Sequence, residues 1–310
     1  MTALICGSLA YDTVMVFPSR FREHILADSI HMLNVSFLVP SMKRNFGGCS
    51  GNIAYNLRLL NGDGAPMATV GTDFGIYARW LADCGVRTDH VRTIEGEFTA
   101  QAFIITDLDD NQINAFHPGA MDHSHTNPVP VTGGVTLGVI APDGREGMLA
   151  HSRQFAAAGI PVLFDPGQQL PRFDGPDLMG FVERSRWIAV NDYEAQLLRD
   201  RTGEDVADIA RRVDALVITR GAQGSVILAG GREISIPAAR AETVMDPTGC
   251  GDAYRAGLIY GLMQGFDWET TGRIASLLGA IKIAHAGTQN HRFTADEFAD
   301  RFRAAFGRAI

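Results

Sequence analysis

From Val135 to Thr219 short apolar runs alternate with longer amphipathic stretches, and no other feature limits the fold as strongly. Val135–Ile140 reads as a strand, a helix precedes Gly159, and Val162–Phe164 is a second strand. A helix near Leu178–Arg184 leads to a strand at Ile188–Val190; helices around Glu194–Arg201 and Val206–Arg212 lead to another at Leu216–Thr219. Successive strands joined by helical crossovers pair in parallel and need helices on both faces of the sheet. The N-terminal part fits the same scheme, with a strand at Ala3–Cys6, a helix at Gly51–Leu60, a strand at Met67–Val70 and a helix at Phe74–Cys84. At the other end, Ser225–Leu228 and Glu233–Ile236 read as a β pair, followed by helices near Gly251–Met263, Thr270–His285 and Ala295–Phe306.

Two β-rich excursions break this alternation. Val14–Phe17 reads as a strand, and His31–Leu38, ending before Pro40, as an edge strand where proline is tolerated. Phe98–Thr106 and Gln112–Phe116 flank the turn-forming Asp107–Asn111, which predicts a hairpin. We expect residues 1–12, 46–96 and 118–310 to form an α/β core, and residues 13–45 and 97–117 to assemble into a small β-sheet lid.

Composition narrows the partners. The chain carries 27 Lys and Arg against 35 Asp and Glu, a net charge of −8, and its only lysines are Lys43 and Lys282. Without a basic cluster, neither nucleic acid nor an anionic membrane is an expected partner, so any phosphate must be held locally, by backbone amides. Cys6, Cys49, Cys84 and Cys250 lack the spacing of a zinc site or a disulfide framework, which fits a reducing, cytoplasmic setting. There is no apolar run of spanning length and no signal-peptide pattern.

Chemistry is concentrated at strand and helix ends. Asp246-Pro-Thr-Gly249-Cys250-Gly251-Asp252 runs into an apolar helix, where glycines let free amides approach an anion. Asp252, in the first turn, could take a proton from a hydroxyl attacking a phosphoryl group; the plainer reading is a glycine turn with an acidic residue favouring the helix dipole. Gly47-Gly48-Cys49-Ser50-Gly51-Asn52 also enters a helix, and Asn52 could donate to and accept from a polyhydroxylated ligand. Ser8 and Asp12 follow the first strand and could reach sugar hydroxyls, or simply cap turns. Asn191 and Glu194 share a face and could organise Mg²⁺ waters or phosphate, though a capping box accounts for them equally well. Thr219, Gly221 and Gly224 close another strand and could face a nucleotide phosphate. His123-Ser124-His125 lacks a third metal ligand and reads as a polar loop. The chain has no P-loop and no dinucleotide fingerprint after its first strand, which argues against a nicotinamide-dependent dehydrogenase.

In this order and spacing, Asp12, Gly47-Gly48-x-x-Gly51-Asn52, Asn191-x-x-Glu194, Thr219-x-Gly221-x-x-Gly224 and Gly249-x-Gly251-Asp252 resemble the ribokinase-like (PfkB) carbohydrate and nucleoside kinases over nearly the whole chain. The resemblance implies a Rossmann-like core with a β-lid, ATP and Mg²⁺ as co-substrates, room for a monovalent cation, and γ-phosphoryl transfer to a hydroxymethyl group. It makes Asp252 the base and Gly249, Cys250 and Gly251 the anion hole. Asp12, Gly48 and Asn52 would then hold sugar hydroxyls; Asn191 and Glu194 would serve phosphate and, through water, Mg²⁺; Thr219, Gly221 and Gly224 would face ATP. Ile30–Pro40 and Asn111–Met121 are similar to the bacterial adenosine-kinase-like branch, with Phe37, Leu38, Phe103 and Phe116 as apolar walls for a purine. The alternative is that these aromatics are the lid's own core or a dimer face. Adenosine is the expected substrate and a free sugar such as ribose or fructose the runner-up; a nucleoside sensor without catalysis has no need of Asp252. The chain would act as a monomer or as a homodimer through the lid. Cys250 stands where alanine is commoner, and a thiol at a helix N-terminus is expected to ionise easily and oxidise. Ser8 replaces a usual asparagine, and Pro247 a usual threonine.

Overall fold

A computed structural model describes residues 1–25, 34–130 and 134–310. Numbered in chain order, nine strands form the main sheet: β1 (Thr2–Cys6), β4 (Gly64–Val70), β5 (His90–Thr93), β8 (Val135–Ile140), β9 (Val162–Phe164), β10 (Trp187–Asn191), β11 (Ala215–Thr219), β12 (Ser225–Ala229) and β13 (Arg232–Ile236). Their order is β13-β12-β11-β10-β9-β8-β1-β4-β5. All neighbours are parallel except β11–β12 and β12–β13.

The pleat sends alternate side chains of each strand to opposite faces. Ala3 and Ile5 of β1 join one buried cluster with α1 (Cys49–Leu59), α2 (Gly75–Asp83), α7 (Cys250–Gln264), α8 (Trp268–Ile283) and α9 (Ala295–Phe306). Leu4 and Cys6 join the other, with α3 (Arg145–Ala157), α4 (Gly175–Arg184), α5 (Asp192–Thr202) and α6 (Val206–Ala210). The result is an α/β/α sandwich in which both sheet faces are covered, as the near-continuous apolar strands require.

A second sheet has the order β3-β2-β6-β7, built from β2 (Ala10–Val16), β3 (Ser41–Gly47), β6 (Ala100–Thr106) and β7 (Gln112–His117). Its β6–β7 pair is the expected hairpin, closed by the Asp107 carboxylate, which accepts from the backbone N–H groups of Asp109 and Asn111. Two expectations are corrected. Of the strand expected at His31–Leu38, residues 31–33 lie outside the described residues and 34–38 have no strand pairing; β3 begins after Pro40. A chain leaving the proline has its N–H groups free for β2, so the pairing starts at Ser41. The strand read at Val14–Phe17 begins at Ala10, which moves Asp12 from the end of the main sheet into the second one.

Candidate active site

The carboxyl ends of β1, β8 and β9 open onto a cavity of about 550 Å³, roofed by the second sheet. The strand order puts the crevice where ligands collect in open parallel sheets, beyond the carboxyl edge. Its floor is the start of α7. Gly249 is the N-cap, with φ of +78°, and a Cβ there would lie 2.9 Å from the Thr288 side chain, so the turn needs glycine twice over. The Cys250 N–H is committed to the Pro247 carbonyl at 3.1 Å, whereas Gly249 and Gly251 N–H make no hydrogen bond among the described residues. The free donors of the cradle are therefore those two glycines, at the positive end of a 15-residue helix.

Asp252 follows Gly251 directly and lines the cavity. Burial pushes its pKa up to about 7; the Asn52 amide opposes the rise, the Asp165 carboxylate adds to it and Arg255 offsets it. Asn52 Nδ2 donates to Asp252 Oδ2 at 2.8 Å. Behind Asn52 the bonds continue: Gln289 Nε2 donates to Asn52 Oδ1 (3.0 Å) and to the Tyr77 hydroxyl (2.6 Å), and Trp80 Nε1 donates to Gln289 Oε1 (2.9 Å). Asn52 is thus held as a partner of Asp252, a role the sequence does not indicate.

The start of α1 forms the next wall. Its N-cap, Gly48, has φ of +86° and passes so close to β1 that a Cβ would lie 2.5 Å from the Ser8 carbonyl. A glycine cannot cap the helix with a side chain, and Ser8 does so from the neighbouring strand end: its hydroxyl accepts from Cys49 N (3.2 Å) and its carbonyl from Ser50 N (3.0 Å).

From above, the second sheet presents one register row: Asn45, Asp12, Ala102 and Phe116 are cross-strand partners, and the last three line the cavity. Burial, aided by the nearby Asp246 charge, raises the Asp12 pKa to about 6. Of the three aromatics expected as purine walls, the structure brings only Phe116 to the cavity. Phe103 is one residue from Ala102 and so points to the opposite face of the sheet. Phe37 packs against Phe17 and Phe21, with ring centroids at 4.8 and 5.1 Å, in a cluster at the sheet's tip; Leu38 is solvent-exposed.

Asn191, Glu194, Thr219, Gly221 and Gly224 lie outside the cavity walls. Asn191 and Glu194 form a reciprocal capping box on α5, with Oδ1 accepting from Glu194 N (2.7 Å) and Oε2 from Asn191 N (2.8 Å). Thr219 is the register partner of Asn191 on β11, and Gly224 turns the chain tightly over Ile236. Between this edge and Asp252 lies Arg255, buried, which donates to Asp165 Oδ1 at 3.0 Å and approaches Glu194 Oε2 at 3.7 Å. The easily ionised Cys250 expected from the helix dipole is corrected: burial raises the thiol's pKa to about 11, with Lys282 opposing and the Asp246 and Asp252 charges adding to it. His123 and His125 belong to a 3₁₀ turn at Gly119–Thr126, where His123 approaches Glu97 at 3.5 Å. Sequence reading missed Gln168, Gln169, Met121 and Thr288 on the walls, as well as Gln289 and Arg255 behind them.

Comparison with known proteins bears on this geometry. A model of the pfkB family carbohydrate kinases matches residues 9–294. The chain is 32% identical over 270 residues to a nucleoside kinase of Methanocaldococcus jannaschii, covering 86% of this chain and 89% of that protein. It is similar to the solved structure of a Burkholderia thailandensis nucleoside kinase in complex with inosine, with 52% identity, a TM-score of 0.90 and 99% of each chain covered. The same kinase in complex with ADP-inosine has 52% identity and a TM-score of 0.88, covering 99% of this chain and 97% of that one.

Proposed function

We propose that this chain, which belongs to the pfkB family of carbohydrate kinases, is a nucleoside kinase that transfers the γ-phosphoryl of ATP to the 5′-hydroxyl of a purine nucleoside. The observation that carries the reading is the half-buried Asp252 carboxylate beside the free amides of Gly249 and Gly251, in a cavity of about 550 Å³ that a nucleoside would fill. Phosphoryl transfer asks little covalent work of a protein; it needs the hydroxyl and the phosphoryl group held in line and the charge stabilised. In our reading Asp252 takes the proton from the 5′-hydroxyl, and the glycine amides receive the phosphoryl oxygens at a helix N-terminus. Asp12, ionised at neutral pH, accepts from the ribose hydroxyls, and Phe116 stacks on the base from the second sheet. Closure of that sheet as a lid excludes water that would otherwise hydrolyse ATP.

Among the described residues no group of three or more His, Cys, Asp or Glu side chains could hold a metal ion by itself. That suits Mg²⁺ carried by nucleotide phosphates and keeping most of its waters. Glu194 would hold it through water, and the ion would supply neutralisation of the phosphate charge. Asn191, Thr219, Gly221 and Gly224 line the same sheet edge and fit an ATP-facing role. All four cysteines are free, in keeping with a reducing compartment, and no helix among the described residues is long and apolar enough to cross a membrane.

Adenosine is the substrate suggested by the lid segments; inosine is the second reading, favoured by the inosine complex of the 52% identical kinase. The test is ATP-dependent ADP release with Mg²⁺ across adenosine, inosine, guanosine, cytidine, ribose and fructose. Turnover of purine nucleosides well above the free sugars supports the reading. Preference for ribose or fructose overturns the nucleoside assignment and reduces Phe116 to a structural residue.

A further inference from the structure

Lys282 is one of two lysines in the chain and is completely buried, in the last turn of α8. Burying an ammonium is costly unless its donors and its charge find partners. Here Nζ donates to the Asp246 carbonyl at 2.7 Å and to the His285 carbonyl at 3.0 Å, and the Asp246 carboxylate lies 3.9 Å away. That carboxylate in turn accepts from Thr248 N (2.9 Å) and Gly287 N (2.8 Å). The N–H groups of Met245 and Asp246 both point to the Ile283 carbonyl, so α8 grips this segment from two sides.

The two segments tied together are those that shape the cradle. Residues 246–248 lead directly into Gly249 and Gly251. Residues 285–289 carry Thr288, whose methyl packs against Gly249 and whose hydroxyl donates to Phe46, and Gln289, which holds Asn52. Burial draws the ammonium's pKa below the usual lysine range, and the Asp246 carboxylate works against that.

We infer that Lys282 is a positioning residue, a built-in cation clamped between backbone carbonyls that fixes the Asp246–Gly251 and His285–Gln289 segments at the spacing the phosphoryl cradle needs. Carbonyl oxygens around a single positive charge would equally suit a free monovalent ion. The lysine therefore removes any requirement for one, and deleting it creates that requirement. The inference rests on the kinase reading of the cradle for its effect on turnover, but not for its effect on cation binding.

The test compares the full-length protein and Lys282→Met in choline chloride, potassium chloride and ammonium chloride at equal ionic strength. The unaltered protein should turn over at the same rate in all three salts. K282M should lose about tenfold or more in kcat in choline, with little change in nucleoside KM, and should recover in a saturable way with potassium or ammonium. A strict need of the unaltered protein for potassium would overturn the inference. So would a folded K282M that keeps full kcat, or one that no cation restores. Melting temperatures read the same question without turnover: K282M, or Lys282→Gln should the methionine variant fail to fold, should be stabilised by potassium or ammonium relative to choline, and the unaltered protein should not. Equal melting of the variant in all salts refutes the clamp. Should the unaltered protein phosphorylate no nucleoside while K282M still shows cation-dependent melting, the functional reading has failed and the clamp has not.

Discussion

Replacing Asn52 by alanine separates the sugar contact that the sequence suggests from the carboxylate contact that the structure shows. In the structure the Asn52 amide donates to Asp252 Oδ2 at 2.8 Å, a bond that favours the ionised carboxylate. A hydrogen bond to a charged group contributes about 1.5–3 kcal/mol, and about 1.4 kcal/mol corresponds to one pKa unit, so its loss should raise the Asp252 pKa by about 1–2 units. With a starting value of about 7, roughly half the carboxylate is ionised at pH 7 in the unaltered protein. In Asn52→Ala that fraction falls to between about a tenth and a hundredth, a loss of about 5- to 50-fold in rate at pH 7. The sign follows from the role: the base works only when deprotonated, so a higher pKa moves the acidic limb of the kcat/KM profile to higher pH, and activity returns as pH rises. The assay is coupled ADP release over pH 6 to about 9.5, with coupling enzymes in excess at each pH. A loss of equal size at every pH, with the limb unmoved, would refute the reasoning and return Asn52 to a simple sugar contact.

Phe116→Ala should raise the nucleoside KM by about 2- to 12-fold, the equivalent of about 0.5–1.5 kcal/mol of stacking, and leave the ATP KM unchanged; equal losses for both would sink the stacking role. Arg255→Met removes one partner of a buried pair whose side chains are 5% and 6% exposed, and leaves Asp165 charged without compensation. Denaturant unfolding should show a loss of about 3–5 kcal/mol; a loss below about 1 kcal/mol would mean that Asp165 is not ionised in the folded protein.

What the sequence revealed depended on whether a signal was local. The strand and helix alternation was readable because each crossover carries its own periodicity, and the glycine-flanked Asp252 because a helix N-terminus is written in consecutive residues. Phe103 and Phe116 show where that reasoning stops. A one-residue slip in hairpin register exchanges the faces, and the five residues Asp107–Asn111 leave the register open; only the observed pairing of Ala102 with Phe116 shows which aromatic faces inward. Cys250 was misread because the dipole at a helix end is visible in sequence, while the burial that overrides it is not. Gln289 and Lys282 were invisible for another reason: Gln289 meets Asn52 across 237 residues, and Lys282 meets Asp246 across 36, so their purpose exists only in the fold.

The central claim is that Asp252 performs the chemistry on a nucleoside bound between the two sheets. Asp252→Asn, with inosine and adenosine binding measured by calorimetry and turnover by ADP release, addresses it most directly. The account predicts nucleoside affinity within a few-fold of the unaltered protein and a loss of about 10²- to 10⁴-fold in kcat. A variant that binds nucleoside and still turns over at the full rate would contradict it.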